Sequence, residues 1–192
     1  MSIAEIPRKM TAEELLAMPD DGVERWLIRG ELRENAESDM NRRNPDHSGT
    51  MTRVAAVLDT WLRTQPKPRG RVYTGDVAFK LRSDSATLVG IDVAYVSADL
   101  RTRTPKGRKI IEGSPILAVE IFSPSDVHSE VNEKVQEYLN VDVAVVWVID
   151  PDFETVAVYA HGEEPRLFNR GHDLTAEPHL PGFRIRVSEL FE

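Results

Sequence analysis

The 192-residue chain has no cysteine. That excludes a disulfide framework and any metal site built on thiolates, and it suits a reducing compartment. Long apolar runs are missing too. Nothing approaches the roughly 18 consecutive apolar residues of a membrane span, and the opening MSIAEIPRKM lacks the apolar stretch of a secretion signal. A cytoplasmic location is therefore expected. Positive charge is in short supply, with 24 Lys and Arg against 32 Asp and Glu and a formal net charge of -8. A protein that coats nucleic acid depends on Lys and Arg displacing counterions from phosphates, so this balance argues against that class. It still allows local basic patches. Two segments lack acids, RTQPKPRGR from Arg63 to Arg71 and RTRTPKGRK from Arg101 to Lys109, and the ordinary reading of each is a solvated, proline-bearing loop. There is no phosphate-cradling glycine motif, and no G-x-S-x-G frames Ser123. The five histidines, His47, His128, His161, His172 and His179, show no metal-ligand spacing, and most are expected at the surface.

What is present reads as a soluble globular chain. With 41% hydrophobic and 29% charged residues it is long enough for one well-formed core, so a single domain over residues 1–192 is expected. TAEELLAMP places Thr11 as an N-cap with Glu14 three residues on, a capping box, and ends at Pro19. VERWLIRGELREN has two short apolar pieces around Arg29 and Gly30, read as a tight hairpin. From Pro45 to Gln65, Met51, Val54, Ala55, Leu58, Trp61 and Leu62 recur with the helical period, predicting the first long helix. RVYTGDVAFKL and LVGIDVAYVS, separated by the polar RSDSAT, predict an antiparallel pair. A strand over Ile116–Phe122, a helix from about Ser125 to Asn140 and the strand AVVWVID then imply a crossover with parallel pairing. TVAVYA, PRLFN and FRIRVSELF close the chain, and Asp150-Pro151 marks a strand-ending turn.

Two carboxylates are out of place in this pattern. Glu120 sits inside the apolar run ILAVEIFSPSD, and Asp92 is the lone acid between Leu88 and Val96. An unpaired buried charge costs several kcal/mol or more, so each needs a neutralising side chain, a raised pKa or a metal ion. If the two strands are neighbours, alternation of side chains lets both acids converge on one side of the sheet. On the helix that follows, Val127, Val131 and Tyr138 fall within roughly 40° of one another, and Lys134 lies about 20° beyond Val127. Lys134 thus borders the sheet-facing stripe, with Glu130, Glu133 and Glu137 farther round toward solvent. The plain alternative is a surface pair of Glu130 with Lys134, four residues apart. Two carboxylates with a lysine can hold Mg²⁺ or Mn²⁺ at a phosphodiester and assist the attacking water. In SPSD a simpler reading is a helix start, with Ser123 as N-cap, Pro124 at the first helical position and Asp126 favouring the helix dipole.

These stretches together, from MTAEELLAMPDDGVERWLIRGEL through DVAFKL, GIDVAYVS, EGSPILAVEIFSPSD and EKVQEYLNVDVAVVWVIDP to LPGFRIRVSELF, resemble the Uma-type restriction endonuclease domain family of the PD-(D/E)XK nuclease superfamily. The resemblance implies that Asp92 and Glu120 are the metal-binding carboxylates. Phe122 stands where the superfamily commonly has its lysine, and Lys134 matches the lysine that this family supplies from the next helix. Glu31 matches a further acid that could extend the metal shell, and His47 a histidine near the start of the long helix. Among the departures, Trp26 stands where many relatives carry an acid, Ile91 replaces the proline before Asp92, and Glu130 replaces an Asp.

The expected fold is therefore α/β, a restriction-endonuclease-like mixed central sheet flanked by helices, with an N-terminal helix and hairpin. The expected function is Mg²⁺- or Mn²⁺-dependent endonucleolytic hydrolysis of nucleic acid, DNA in the first instance. Asp92 and Glu120 would hold the metal and Lys134 would assist the water. Arg101, Arg103, Lys106, Arg108 and Lys109 would contact the backbone, and a homodimer is expected by analogy. The rivals are a non-catalytic interaction or regulatory protein that keeps the fold, and a metal-free glycosidase using the two acids.

Overall fold

The computed structural model describes residues 9–19, 21–35, 44–82, 86–123 and 126–192. Helix α1 (Ala12–Leu16) starts where the capping box places it. The Thr11 hydroxyl accepts the Glu14 N–H at 3.1 Å and the Glu14 carboxylate accepts the Thr11 N–H at 2.8 Å. Strands β1 (Glu24–Ile28) and β2 (Glu31–Asn35) form the hairpin, antiparallel with Ile28 opposite Glu31. Its two turn residues, Arg29 at φ 52° and Gly30 at φ 81°, both take the left-handed conformation that matches strand twist in a two-residue hairpin. A Cβ at Gly30 would lie 2.8 Å from the Lys9 Cβ, so glycine is also required for space.

Helix α2 (Pro45–Thr64) is capped by the Asn44 side chain, which accepts from the Asp46 N–H, and begins at Pro45. Its buried residues are His47, Thr50, Met51, Val54, Leu58, Trp61 and Leu62. They form one stripe, and His47 is the first member of it.

Strands β3 (Arg71–Arg82) and β4 (Thr87–Val96) pair antiparallel, and helix α3 (Ala98–Arg103) follows with Ser97 as its N-cap. Strand β5 (Ile110–Glu112) lies parallel to β3, and β6 (Leu117–Ile121) is antiparallel to β4. Helix α4 (His128–Leu139) then carries the chain to β7 (Val145–Asp150), which is parallel to β6. Strands β8 (Thr155–Ala160) and β9 (Arg166–Asn169) extend the sheet by antiparallel pairing. The order β2-β1-β4-β6-β7-β8-β9, with β3 and β5 off that path, makes a mixed and mostly antiparallel sheet. Strands β10 (Asp173–Thr175) and β11 (Arg184–Arg186) form a small second sheet before a final 3-10 turn over Val187–Leu190. The Asp150 carboxylate accepts the N–H groups of Asp152 and Phe153, ending β7 as the sequence suggests.

The sheet is covered on both faces. Helix α2 and the C-terminal segment pack on one, burying Leu58, Trp61, Val93, Trp147 and Phe183 together. Helix α4 packs on the other through Val131, Val135 and Tyr138 against Ala94, Ala118, Val146 and Val148. β6 and β7 are buried on both sides, which explains why both read as continuous apolar runs.

The start of α4 departs from the sequence expectation. The helix begins at His128 with Val127 at its N-cap and no side-chain cap, so Ser123 does not cap it. Instead the Ser123 N–H donates to the Asp126 carboxylate at 2.8 Å, and the Asp126 N–H donates back to the Ser123 carbonyl. This local turn satisfies the backbone before the helix can begin. Pro124, expected at the first helical position, lies outside the described residues.

Candidate active site

Strand β4 organises the site. Along its full length one edge pairs with β3, so its other edge is shared, by β1 at Leu88 and by β6 at Val93, Ala94 and Tyr95. Asp92 falls in the gap between these partners. Opposite it on β3 the register shifts between Thr74 and Val77, where Gly75 and Asp76 have φ of 89° and 54°. This bulge changes which face each β4 residue presents. Val89 and Ile91 belong to the core half under α4, but beyond Asp92 it is Ala94 and Val96 that do so, while Val93 and Tyr95 turn to the α2 half. Asp92 stands at the crossover and is reached from both faces. His47, at the start of α2, places Nε2 3.2 Å from Asp92 Oδ2, and the Ile121 N–H donates to the same oxygen at 2.8 Å.

The β4–β6 register brings the second acid alongside. Val93 faces Val119 and Ala94 faces Ala118, so the next position in line sets Asp92 against Glu120. Both are buried, 4% and 6% exposed. Glu120 is held from α4, where Tyr138 donates its hydroxyl to Oε1 at 2.5 Å and Lys134 donates to Oε2 at 3.2 Å. Lys134 therefore pairs with Glu120 and not with Glu130, the surface partner that helix spacing alone would favour. Its side chain is only 12% exposed, because α4 lies flat on the sheet and its stem runs inward. Burial pushes the Glu120 carboxyl up to about 7, Asp92 adds to the rise, and Lys134 and Tyr138 pull against it. Burial presses Lys134 down, yet the charges of Glu120, Glu24 and Asp92 leave it raised overall. Burial next to Glu120 raises Tyr138 well above its ordinary range, so it stays a hydroxyl donor.

A small cleft opens beside Glu120 where β1 and β6 diverge beneath α4. It is lined by Glu24, Trp26, Glu120, Ile121, Asp126, Val127, Glu130, Val131 and Lys134. Glu24, Asp126, Tyr138 and Trp26 were not singled out from sequence as parts of the site. For Tyr138 the sequence does carry a signal, since it lies one turn after Lys134 on the same sheet-facing stripe. Asp126 is partly buried, and burial raises its carboxyl.

The remaining sequence candidates lie elsewhere. Glu31 is exposed on β2, paired with Arg33 at 3.1 Å, and lines a separate groove with Arg29, Glu133 and Glu137 instead of the cleft at Glu120. Glu137 does not face solvent. It is 2% exposed, with the Thr87 hydroxyl at 2.9 Å and Arg29 Nε at 3.0 Å, because the β1–β2 turn folds over that end of α4. Arg101, Arg103, Lys106, Arg108 and Lys109 are all exposed, in and after α3. Arg101 donates to the carbonyls of Arg69 and Gly70, which joins the two acid-free segments into one basic surface. That surface begins about four strand residues beyond Asp92, roughly 13 Å along β4. Apart from His47, the histidines are exposed.

The donor set suits a hard cation. Two buried carboxylates in register, one with its acidity weakened by the other, are the oxygen ligands Mg²⁺ or Mn²⁺ prefers. Among the described residues no group of three or more His, Asp or Glu is placed to hold a metal ion, so the protein would supply two carboxylates and leave other positions to water and phosphate oxygens.

The pH dependence of stability follows from Glu120. Its ordinary value is 4.5 and its folded value about 7, so between these the folded protein holds a proton that the unfolded chain has released. The contribution is fully present below pH 4.5 and lost as pH rises through 7. Urea melts of metal-free protein should show this decline, and Glu120→Gln should flatten it. An unchanged profile in the variant would contradict the assignment.

The family model described as "Uma2: Putative restriction endonuclease" matches residues 12–188. The chain belongs to the Uma2 family. Its fold is shared with a crystal structure described as a "putative nuclease belonging to DUF820 from Anabaena variabilis ATCC 29413", with a TM-score of 0.79 over 95% of this chain and 97% of that one, at 19% identity. No curated protein matches the chain. Among the described residues no helix is long and apolar enough to cross a membrane.

Proposed function

We propose that this Uma2 chain is a single-domain, divalent-metal-dependent endonuclease that hydrolyses phosphodiester bonds in nucleic acid, DNA in the first instance. The observation that carries the reading is the set of Asp92 and Glu120 in adjacent register with Lys134 3.2 Å from Glu120. Family membership supports a nuclease over a glycosidase or a non-catalytic scaffold.

Asp92 and Glu120 would hold Mg²⁺ or Mn²⁺, which when bound supplies Lewis acidity and neutralises charge at the phosphodiester. Tyr138 and Lys134 fix the two Glu120 oxygens, while His47 and the Ile121 N–H fix Asp92. The Lys134 ammonium, charged at neutral pH, can orient a water for attack on phosphorus and stabilise the negative charge that builds on the phosphoryl oxygens. A pair of copies would present two such sites to the two strands of a duplex. The test is supercoiled plasmid with purified protein in Mg²⁺, Mn²⁺ or EDTA. Nicked and linear forms should accumulate only with the metals; intact plasmid throughout, or cleavage in EDTA, would overturn the reading.

The basic surface beside α3 would contact the nucleic-acid backbone. Replacing Lys106, Arg108 and Lys109 together with alanine should weaken DNA binding and lower the slope of log affinity against log salt by up to about 3, near one per lost phosphate contact. A slope equal to wild type would place the DNA elsewhere.

A further inference from the structure

Lys134 has a second neighbour besides Glu120. Its Nζ lies 5.2 Å from the centroid of the Trp26 ring, within the range of a cation–π contact. Trp26 is 4% exposed, and its buried Nε1 has no hydrogen-bond partner among the described residues. A buried indole usually finds a partner for its N–H, and leaving it unpaired is unfavourable. Phenylalanine or leucine would be buried there without that penalty. The feature that distinguishes tryptophan here is the strong negative potential of its ring face, which it presents to the ammonium. The contact links β1 to α4, two elements joined by no strand pairing. It also matters electrostatically. Glu24, two residues before Trp26 on the same strand and at the rim of the cleft, attracts the same ammonium toward solvent.

We propose that Trp26 is a positioning residue, whose ring face holds the Lys134 ammonium inward against Glu120 and away from Glu24. The proposal rests on the nuclease reading above, which gives the position of Lys134 its importance. A ring provides attraction without adding a third negative charge beside Asp92 and Glu120. The lysine is thereby localised while its N–H groups not used by Glu120 stay available to water or phosphate oxygens.

The test compares Trp26→Phe, which keeps a ring face, with Trp26→Leu and Trp26→Met, which do not. The full-length protein carries ¹³C-labelled lysine, and thermal unfolding identifies the variants that are folded. NMR relaxation of the Lys134 ε-methylene should show it ordered in wild type and Trp26→Phe and mobile in whichever aliphatic variant folds. In plasmid cleavage the aliphatic variant should lose roughly tenfold in kcat with KM unchanged, the size a desolvated cation–π contact carries, and Trp26→Phe should recover most of it. Lys134 equally ordered in the aliphatic variant, or equal kcat losses in the aromatic and aliphatic variants, would overturn the proposal and leave Trp26 a packing residue. A wild type that never cleaves would remove the nuclease reading, while the relaxation data would still decide whether the ring holds the lysine.

Discussion

Glu120→Gln is expected to eliminate metal-dependent cleavage, with a loss of at least about 10³-fold in kcat/KM, equivalent to about 4 kcal/mol of transition-state stabilisation. The amide keeps the size of the carboxyl and one oxygen to accept from Tyr138. It removes the negative charge that, with Asp92, would draw a divalent cation into this gap. Partners that only orient a metal ligand are commonly worth 10–100-fold in affinity, so loss of a ligand itself should exceed about 100-fold. Calorimetric titration with Mn²⁺ would measure this directly. Circular dichroism and thermal unfolding should show a native fold, since β6 keeps its pairing with β4 and β7. A folded variant that binds Mn²⁺ like wild type and still nicks plasmid would exclude Glu120 from the site.

Lys134→Met should lower cleavage without weakening metal binding. Cleavage should fall by roughly 10²–10³-fold, the usual range for losing one preorganised group that stabilises developing charge. Metal affinity should rise, because the competing ammonium is gone. The metal-free protein should meanwhile lose stability near neutral pH, by less than the about 3–5 kcal/mol of a fully charged buried pair, since Glu120 without the ammonium takes up a proton. Saturating Mg²⁺ should then restore more stability to the variant than to wild type, as binding to the folded state alone requires. Thermal melts with and without Mg²⁺ test this reversal. Equal metal stabilisation in both proteins would mean that Lys134 does not share the carboxylates with the ion.

Much of this arrangement could be read in advance because local rules and tertiary packing agree. The Thr11 capping box, the two-residue turn at Arg29-Gly30 and the α2 stripe each depend on residues close in sequence. Asp92 and Glu120 stood out because each interrupts an apolar strand, and that anomaly survives in the fold as two buried carboxylates. The residues that escaped notice depend on contacts distant in the chain. Helix spacing alone turns Glu137 toward solvent, but it is buried because Arg29 and Thr87, 108 and 50 residues earlier in the chain, close over it. Trp26 meets Lys134 only because β1 and β6 share one edge of β4. The bulge at Gly75 and Asp76 lets Asp92 be reached from both faces, a change of alternation that strict strand periodicity cannot signal. At SPSD the Ser123 cap expected from sequence does not form, because Ser123 and Asp126 close a turn of their own ahead of the helix.

Asp92 and Glu120 are proposed to form one divalent-metal site. Anomalous diffraction from crystals soaked in Mn²⁺ tests it most directly. The expected result is a single strong peak bridging the two carboxylates, within roughly 2.0–2.5 Å of an oxygen from each. Crystals at saturating Mn²⁺ with no peak there, or with the ion bound away from both residues, would contradict it.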